Sequence, residues 1–105
     1  SSTLEKTIPI ETIVNNKEDY INRSLYVCRL MEDVKHIYTK KNETMLLFDL
    51  DNGISSKIPC VLFPKEYLLN SSSMKGEKIA LVYGKLVYNS KYNKLQIIIE
   101  RIKTK

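Results

Sequence analysis

A short helix-like segment within a series of β-like runs restricts the fold more than any other feature of this chain. Pro64 suits a first helical position, and good helix formers follow it up to Leu69. Three β-like runs precede this segment and two follow it, at residues 25–38, 44–50, 58–63, 78–88 and 95–102. The order predicts an all-β chain with one short helix between its third and fourth strands.

Breaks in these runs favour a closed barrel. Pro59 cannot donate a ladder hydrogen bond, so it should lie at a sheet edge or a bulge. Gly84 indicates a bulge or a sharp coil in the fourth strand, and residues 51–53 form a strong turn signal. A flat sheet of five strands would leave two edges exposed, and curling hides them. We therefore predict a five-stranded OB-fold Greek-key barrel, with an SH3-like barrel as the alternative.

The length of 105 residues predicts one domain. Residues 1–23 differ from the β-like runs that follow them. Residues 1–23 are interpreted as an N-terminal lead-in segment and residues 24–105 as the OB-fold domain. The lead-in segment is either a linker or a lid packed on the barrel. No run approaches the ~20 apolar residues of a membrane span, and the polar start does not look secretory. We expect a cytoplasmic protein without a membrane partner.

Catalytic and metal-binding patterns are missing from the sequence. Cys28 and Cys60 lie in apolar runs, and His36 is the single histidine. Free thiols in a reducing compartment are expected, with a disulfide between neighbouring strands as the alternative. The chain has neither a Cys/His cluster nor a glycine-rich phosphate loop. We expect no cofactor, no metal ion, no small-molecule substrate and no catalytic activity of the isolated domain.

The charge of the chain is unevenly distributed and favours a polyanionic partner. Residues 1–56 carry seven basic and nine acidic side chains, whereas residues 57–105 carry ten basic and three acidic ones. These counts give −2 and +7, which sum to the net charge of +5. A basic half of this kind suits nucleic acid, although lysines that only keep the surface soluble are the alternative.

Two turns that mix lysine with tyrosine are the candidate binding elements. They lie at residues 38–42 and 88–94, between strands one and two and between strands four and five. Lysine attracts phosphate and tyrosine can stack on an unpaired base. In an OB-fold these two loops flank a binding face whose floor is strands two and three. The predicted nucleic-acid-binding residues are Tyr38, Lys40, Lys41, Asn42, Met45, Leu47, Lys57, Tyr88, Lys91, Tyr92 and Lys94.

Strand alternation separates core from binding face in strand two. If Leu46, Phe48 and Leu50 face inward, then Met45, Leu47 and Asp49 face the ligand, because successive side chains point to opposite faces. We predict that both phenylalanines, Phe48 and Phe63, belong to the core.

An ordered set of short motifs extends over some eighty residues. Its members are Thr39-Lys40-Lys41, Met45, Leu50-Asp51, Cys60-Val61-Leu62-Phe63-Pro64, Lys75-Gly76 and Val82-Tyr83-Gly84-Lys85-Leu86, with Ile8-Pro9-Ile10 upstream. From about residue 24 to 102 the chain resembles the OB domain near the C-terminal end of the alpha subunit of bacterial replicative DNA polymerase III. The resemblance implies single-stranded DNA binding beside the docking site of the sliding clamp, and no catalytic role for this domain.

Two departures from that family change the expected site. Cys28-Arg29 occupies the region where the family often has a glycine in strand one, and Leu47 stands where it often has an aromatic residue. Base stacking is therefore expected mainly from the loop tyrosines.

Similar motifs occur in OB domains of nucleases and helicases, and in those of aminoacyl-tRNA synthetases that bind anticodons. We predict binding of single-stranded DNA with little sequence preference, and other replisome proteins as further partners. The alternatives are RNA, a tRNA anticodon, or a protein docked on a patch of Met45, Leu47 and Asp49.

Overall fold

The computed structural model describes residues 3–105, so the first two residues of the lead-in segment lie outside the described range. The chain forms the predicted series of strands with one helix between the third and the fourth. The elements are a 3₁₀ turn (Thr3–Lys6), α1 (Ile10–Asn15), α2 (Lys17–Tyr20), β1 (Ser24–Tyr38), β2 (Thr44–Asp51), β3 (Lys57–Leu62), α3 (Pro64–Asn70), a second 3₁₀ turn (Ser71–Ser73), β4 (Ile79–Asn89) and β5 (Lys94–Thr104). Within residues 3–105 no helix has the length and apolar character that crossing a bilayer requires.

The five strands close into a barrel in the order β1-β2-β3-β5-β4, with β4 pairing back to β1. All pairs are antiparallel except β3 with β5, which joins Cys60 to Ile97 and Val61 to Ile98. Pro59 precedes this short contact and is paired with Asp49 of β2. It therefore lies where β3 has an open edge, as its missing N–H requires. The closed barrel and α3 together confirm the predicted OB-fold architecture.

The predicted bulge at Gly84 is confirmed. Tyr83 pairs with Arg101 and Gly84 with Ile99, so Glu100 is the extra residue on β5. A Cβ atom on Gly84 would lie 2.4 Å from the carbonyl oxygen of Ile98. Only glycine allows the two backbones to approach this closely.

A second bulge, in β1, was not predicted. The register with β2 shifts between Glu32 and Lys35, and Asp33 has a left-handed φ of 52°. Aspartate tolerates this conformation better than most residues do. Residues 24–30 of β1 pair with β4, and pairing with β2 begins at Leu30, before the bulge, and continues after it to Tyr38. At Cys28 and Arg29, where this chain departs from the family pattern, β1 pairs regularly with Leu81 and Ala80 of β4.

The described part of the lead-in segment packs on the barrel through α1. Ile10 and Ile13 of α1 are fully buried in the hydrophobic core. Glu11 accepts a 2.8 Å hydrogen bond from the Asn52 side chain in the β2–β3 turn, and Arg29 of β1 is 3.8 Å away. The hydrogen bond from Asn52, with a smaller contribution from Arg29, lowers the pKa of the Glu11 carboxyl. These contacts attach α1 to the barrel end that carries the β2–β3 turn.

Both cysteines are free thiols, as expected. Cys60 is buried inside the barrel, whereas Cys28 is half-buried on β1. Burial, reinforced by the charge of Asp49, raises the pKa of the Cys60 thiol far above its ordinary value. The Cys60 thiol is therefore protonated and unreactive at neutral pH.

Candidate nucleic-acid interface

The outer faces of four neighbouring strands, β1, β2, β3 and β5, form one groove of about 610 Å³ together with the turn between β4 and β5. Its floor consists of outward-facing side chains of β2 and β3, continued by the residue that follows β3. These floor residues are Met45, Leu47, Asp49, Pro59, Val61 and Phe63. The inward-facing Leu46, Phe48 and Leu50 alternate with them and are buried, so the predicted alternation of β2 is confirmed.

Charged side chains of both signs line the groove. Lys35 of β1 and Lys94 of β5 border it, and so do the carboxylates of Asp33 and Asp49. Asp49 is also 3.9 Å from the amino group of Lys57, which is one of the predicted residues. This ion pair offsets part of the repulsion that Asp49 would exert on a phosphate. Positive charge in excess therefore comes from the lysines of the two turns at the margins.

Phe63 is not a core residue. Its side chain is 42% exposed and lines the groove, because β3 ends at Leu62 and the chain turns into α3 directly afterwards. The backbone of Phe63 is extended (φ −70°, ψ 161°) as the residue before the helix. The prediction that Phe63 belongs to the core was wrong. Its ring gives the floor of the groove an aromatic side chain, which the sequence did not predict there.

The first turn is an ordered hairpin end that carries lysines. The hydroxyl of Thr39 accepts hydrogen bonds from the backbone N–H groups of Lys41 and Glu43, at 3.3 and 3.2 Å. Asn42 has a left-handed φ of 59°, which asparagine tolerates well. Lys40, Lys41 and Asn42 are exposed at the tip, beyond the residues that line the groove.

The second turn contributes directly to the groove. The Asn89 side-chain oxygen accepts hydrogen bonds from the N–H groups of Lys91 and Tyr92, at 3.1 and 3.3 Å. Tyr92 is 63% exposed and lines the groove together with Lys94. The ammonium group of Lys91 lies 5.4 Å from the Tyr92 ring centre, so positive charge and an aromatic face are adjacent here.

The two tyrosines at the ends of β1 and β4 do not line the groove. Tyr38 pairs with Thr44 and His36 pairs with the buried Leu46, so strand alternation places Tyr38 on the opposite face from Met45. The Tyr88 hydroxyl donates a hydrogen bond to the Asn93 side chain across the hairpin. Tyr88 is thereby held at the rim of the barrel end.

The structure thus brings four of the predicted residues together in the groove and connects a fifth through an ion pair. The four are Met45, Leu47, Tyr92 and Lys94, and the fifth is Lys57. Besides Phe63, the groove-lining residues that the predicted set omitted include Lys35, Asn89 and Gln96. Gln96 could have been found from the alternation of β5, where Ile97 is buried. Lys35 could not have been found from strand alternation, because the bulge at Asp33 precedes it and the sequence does not predict that bulge.

Comparison with known proteins supports the fold and leaves the family open. No protein-family model matches the chain, and no curated protein matches it. Among solved structures, the chain is similar to RecG bound to a three-way DNA junction, with 18% identity and a TM-score of 0.51. The match covers 75% of this chain and 12% of the RecG chain. RecG contains an OB-fold, so the similarity supports an OB-like barrel.

Proposed function

We propose that the groove binds single-stranded nucleic acid, preferentially DNA, with little dependence on sequence. The observation that carries the proposal is the placement of two exposed aromatic side chains, Phe63 and Tyr92, along one groove whose margins carry lysines. A base stacked on an aromatic side chain contributes about 1–3 kcal/mol to binding. The bases of a duplex are already stacked and paired, so such platforms favour an unpaired strand.

The charge distribution fits a strand whose bases face the floor. Lysines of the turns, Lys40, Lys41 and Lys91, are exposed to solvent where phosphates would pass. The floor is apolar apart from Asp49, whose carboxylate can accept hydrogen bonds from amino groups of bases. Because stacking and phosphate contacts do not depend on base identity, we expect weak sequence preference.

The similarity to RecG, whose structure contains a DNA junction, favours DNA over RNA. The ordered motifs from Thr39 to Leu86 support a finer proposal, namely that the domain belongs to a replicative polymerase alpha subunit in the cytoplasm and contacts other replisome proteins. The coding sequence on either side of this chain tests that context. A polymerase core upstream would support it, and a synthetase core would overturn it.

Fluorescence anisotropy with an oligo-dT of about 10 nucleotides, within the usual site size of one OB-fold, tests the binding proposal. Affinity should fall steeply between about 50 and 200 mM salt, since each phosphate contact adds about 0.7 to the logarithmic salt slope. Phe63→Ala should weaken binding by about 1–3 kcal/mol. Leu68→Ala is the matched control, because Leu68 is 71% exposed on α3 and does not line the groove.

Equal binding by the Phe63→Ala and Leu68→Ala variants would show that the groove is not the binding site. Salt-independent binding would exclude the phosphate contacts. If the chain binds no oligo-dT even at low salt, the apolar floor of Met45, Leu47 and Phe63 is better explained as a protein-docking surface. Preference for a structured RNA loop over DNA would instead favour an anticodon-binding domain.

A further inference from the structure

A second surface with aromatic and basic side chains lies on β1, β4 and β5. Tyr26, Tyr83 and Arg101 form one row across these three strands. The two tyrosine ring centres are 4.5 Å apart, and the guanidinium carbon of Arg101 lies 4.5 Å from the Tyr83 ring centre. Arg101 also donates a 3.0 Å hydrogen bond to the Tyr26 hydroxyl. The arginine is therefore held in place before any ligand arrives.

The bulge in β5 creates this surface. Ile97 and Ile99 point into the barrel, so regular alternation would turn residue 101 inward as well. The extra residue, Glu100, shifts the alternation, and Ile102 is buried while Arg101 is exposed. Asn70 holds the bulge, donating a 3.1 Å hydrogen bond to the Glu100 carbonyl and accepting a 3.0 Å bond from the Ile102 N–H.

Positive charge surrounds the row. Lys85 lies on the strand β4 next to it and Lys103 follows Arg101 by two residues on β5, so both share its outward face. Glu100 is the one acidic residue of β4 and β5, against four basic ones. Within residues 3–105, neither Arg101, Lys85 nor Lys103 forms an ion pair with a carboxylate. These cations are available to an anionic partner.

We propose that this surface, called here the back face and defined by Tyr26, Tyr83, Lys85, Arg101 and Lys103, binds the phosphate backbone of the strand where it leaves the groove. The inference rests on the proposed function of the groove. β5 connects the two sites, since Lys94 and Gln96 line the groove and Arg101 and Lys103 belong to the back face. A guanidinium held against two rings keeps N–H donors in a fixed fork, which suits phosphate and lowers the entropy lost on binding.

Oligonucleotides of two lengths test the back face. A dT oligomer of about 10 nucleotides fills the groove alone, and one of about 30 nucleotides can continue along β5 onto the back face. The Lys85→Ala/Lys103→Ala double variant should leave binding of the short oligomer unchanged. For the long oligomer it should reduce the logarithmic salt slope by about 1.4, the value for two lost phosphate contacts. Arg101→Gln should weaken binding of the long oligomer only.

The control is Lys17→Ala/Lys65→Ala, which removes two exposed lysines from α2 and α3. Thermal unfolding of every variant verifies that the barrel is intact. An unchanged salt slope with the long oligomer overturns the back-face proposal while the groove stands. Equal losses with both lengths also overturn it, because the lysines would then act at the groove. If Phe63→Ala has no effect on the short oligomer, the proposed groove function fails instead.

Discussion

The two hairpin turns of the barrel have similar hydrogen bonding but different positions relative to the groove. Each begins with a side-chain oxygen, from Thr39 or Asn89, that accepts two backbone N–H groups of its own turn. Each ends in a left-handed asparagine, Asn42 or Asn93. Yet the second turn supplies groove-lining residues, including Tyr92, and the first supplies none.

Strand register explains this difference. Tyr38 pairs with Thr44 and shares the face of the buried Leu46, so it points away from the groove. Asn89 pairs with Lys94, and both of these residues line the groove. Two turns that both mix lysine with tyrosine thus present different groups to the groove, because one register step changes the face on which every side chain lies.

The largest expected difference between the turns concerns their tyrosines. Tyr92→Ala should weaken binding of a short dT oligomer by about 1–3 kcal/mol, since it removes one stacking platform. Tyr38→Ala, which removes a tyrosine that is 75% exposed on the other face, should leave binding unchanged. Anisotropy titrations at one low salt concentration compare them. A larger loss from Tyr38→Ala would mean that the ligand passes over the opposite face.

The lysines of both turns should matter through charge, with a smaller effect on affinity. Lys40→Ala/Lys41→Ala and Lys91→Ala/Lys94→Ala should each reduce the logarithmic salt slope by about 1.4, if every lysine contacts one phosphate of a single strand. A salt series for each double variant measures this. A reduced slope in only one of them would show that the strand contacts one turn and not the other.

The smallest effects are expected from the turn hydrogen bonds. Thr39→Ala and Asn89→Ala each remove the acceptor of two hydrogen bonds and should lower the free energy of unfolding by about 0.5–1.5 kcal/mol. Urea denaturation measures that change. Only Asn89→Ala should also weaken DNA binding, because the Asn89 side chain holds the backbone of Tyr92. Weakened binding in the Thr39→Ala variant alone would reverse the roles assigned to the turns.

The sequence predicted the strands and α3 well because each has local signals. Buried side chains alternate with outward-facing ones along β2 from Met45 to Asp51, and Pro64 marks the start of α3. Gly84 marked its bulge because only glycine fits so close to Ile98. The bulge at Asp33 carries a weaker signal, since aspartate tolerates a left-handed φ but does not require it.

The prediction for Phe63 failed for a related reason. In the sequence it continues an apolar run, and nothing local shows that β3 ends one residue earlier. Only the short pairing of β3 with β5 and the turn into α3 leave its ring at the groove. The back face was likewise invisible, because Arg101 reaches the surface only through the bulge that Asn70 holds from α3.

The order of elements and the barrel class follow from local signals, because proline, glycine and strand alternation act over a few residues, and the basic character of the second half follows from composition. The fold selects which side chains share a face. That choice depends on registers and bulges between strands that are distant in the chain, and a shift of one residue moves an aromatic ring from the core to the groove or from the groove to the far side.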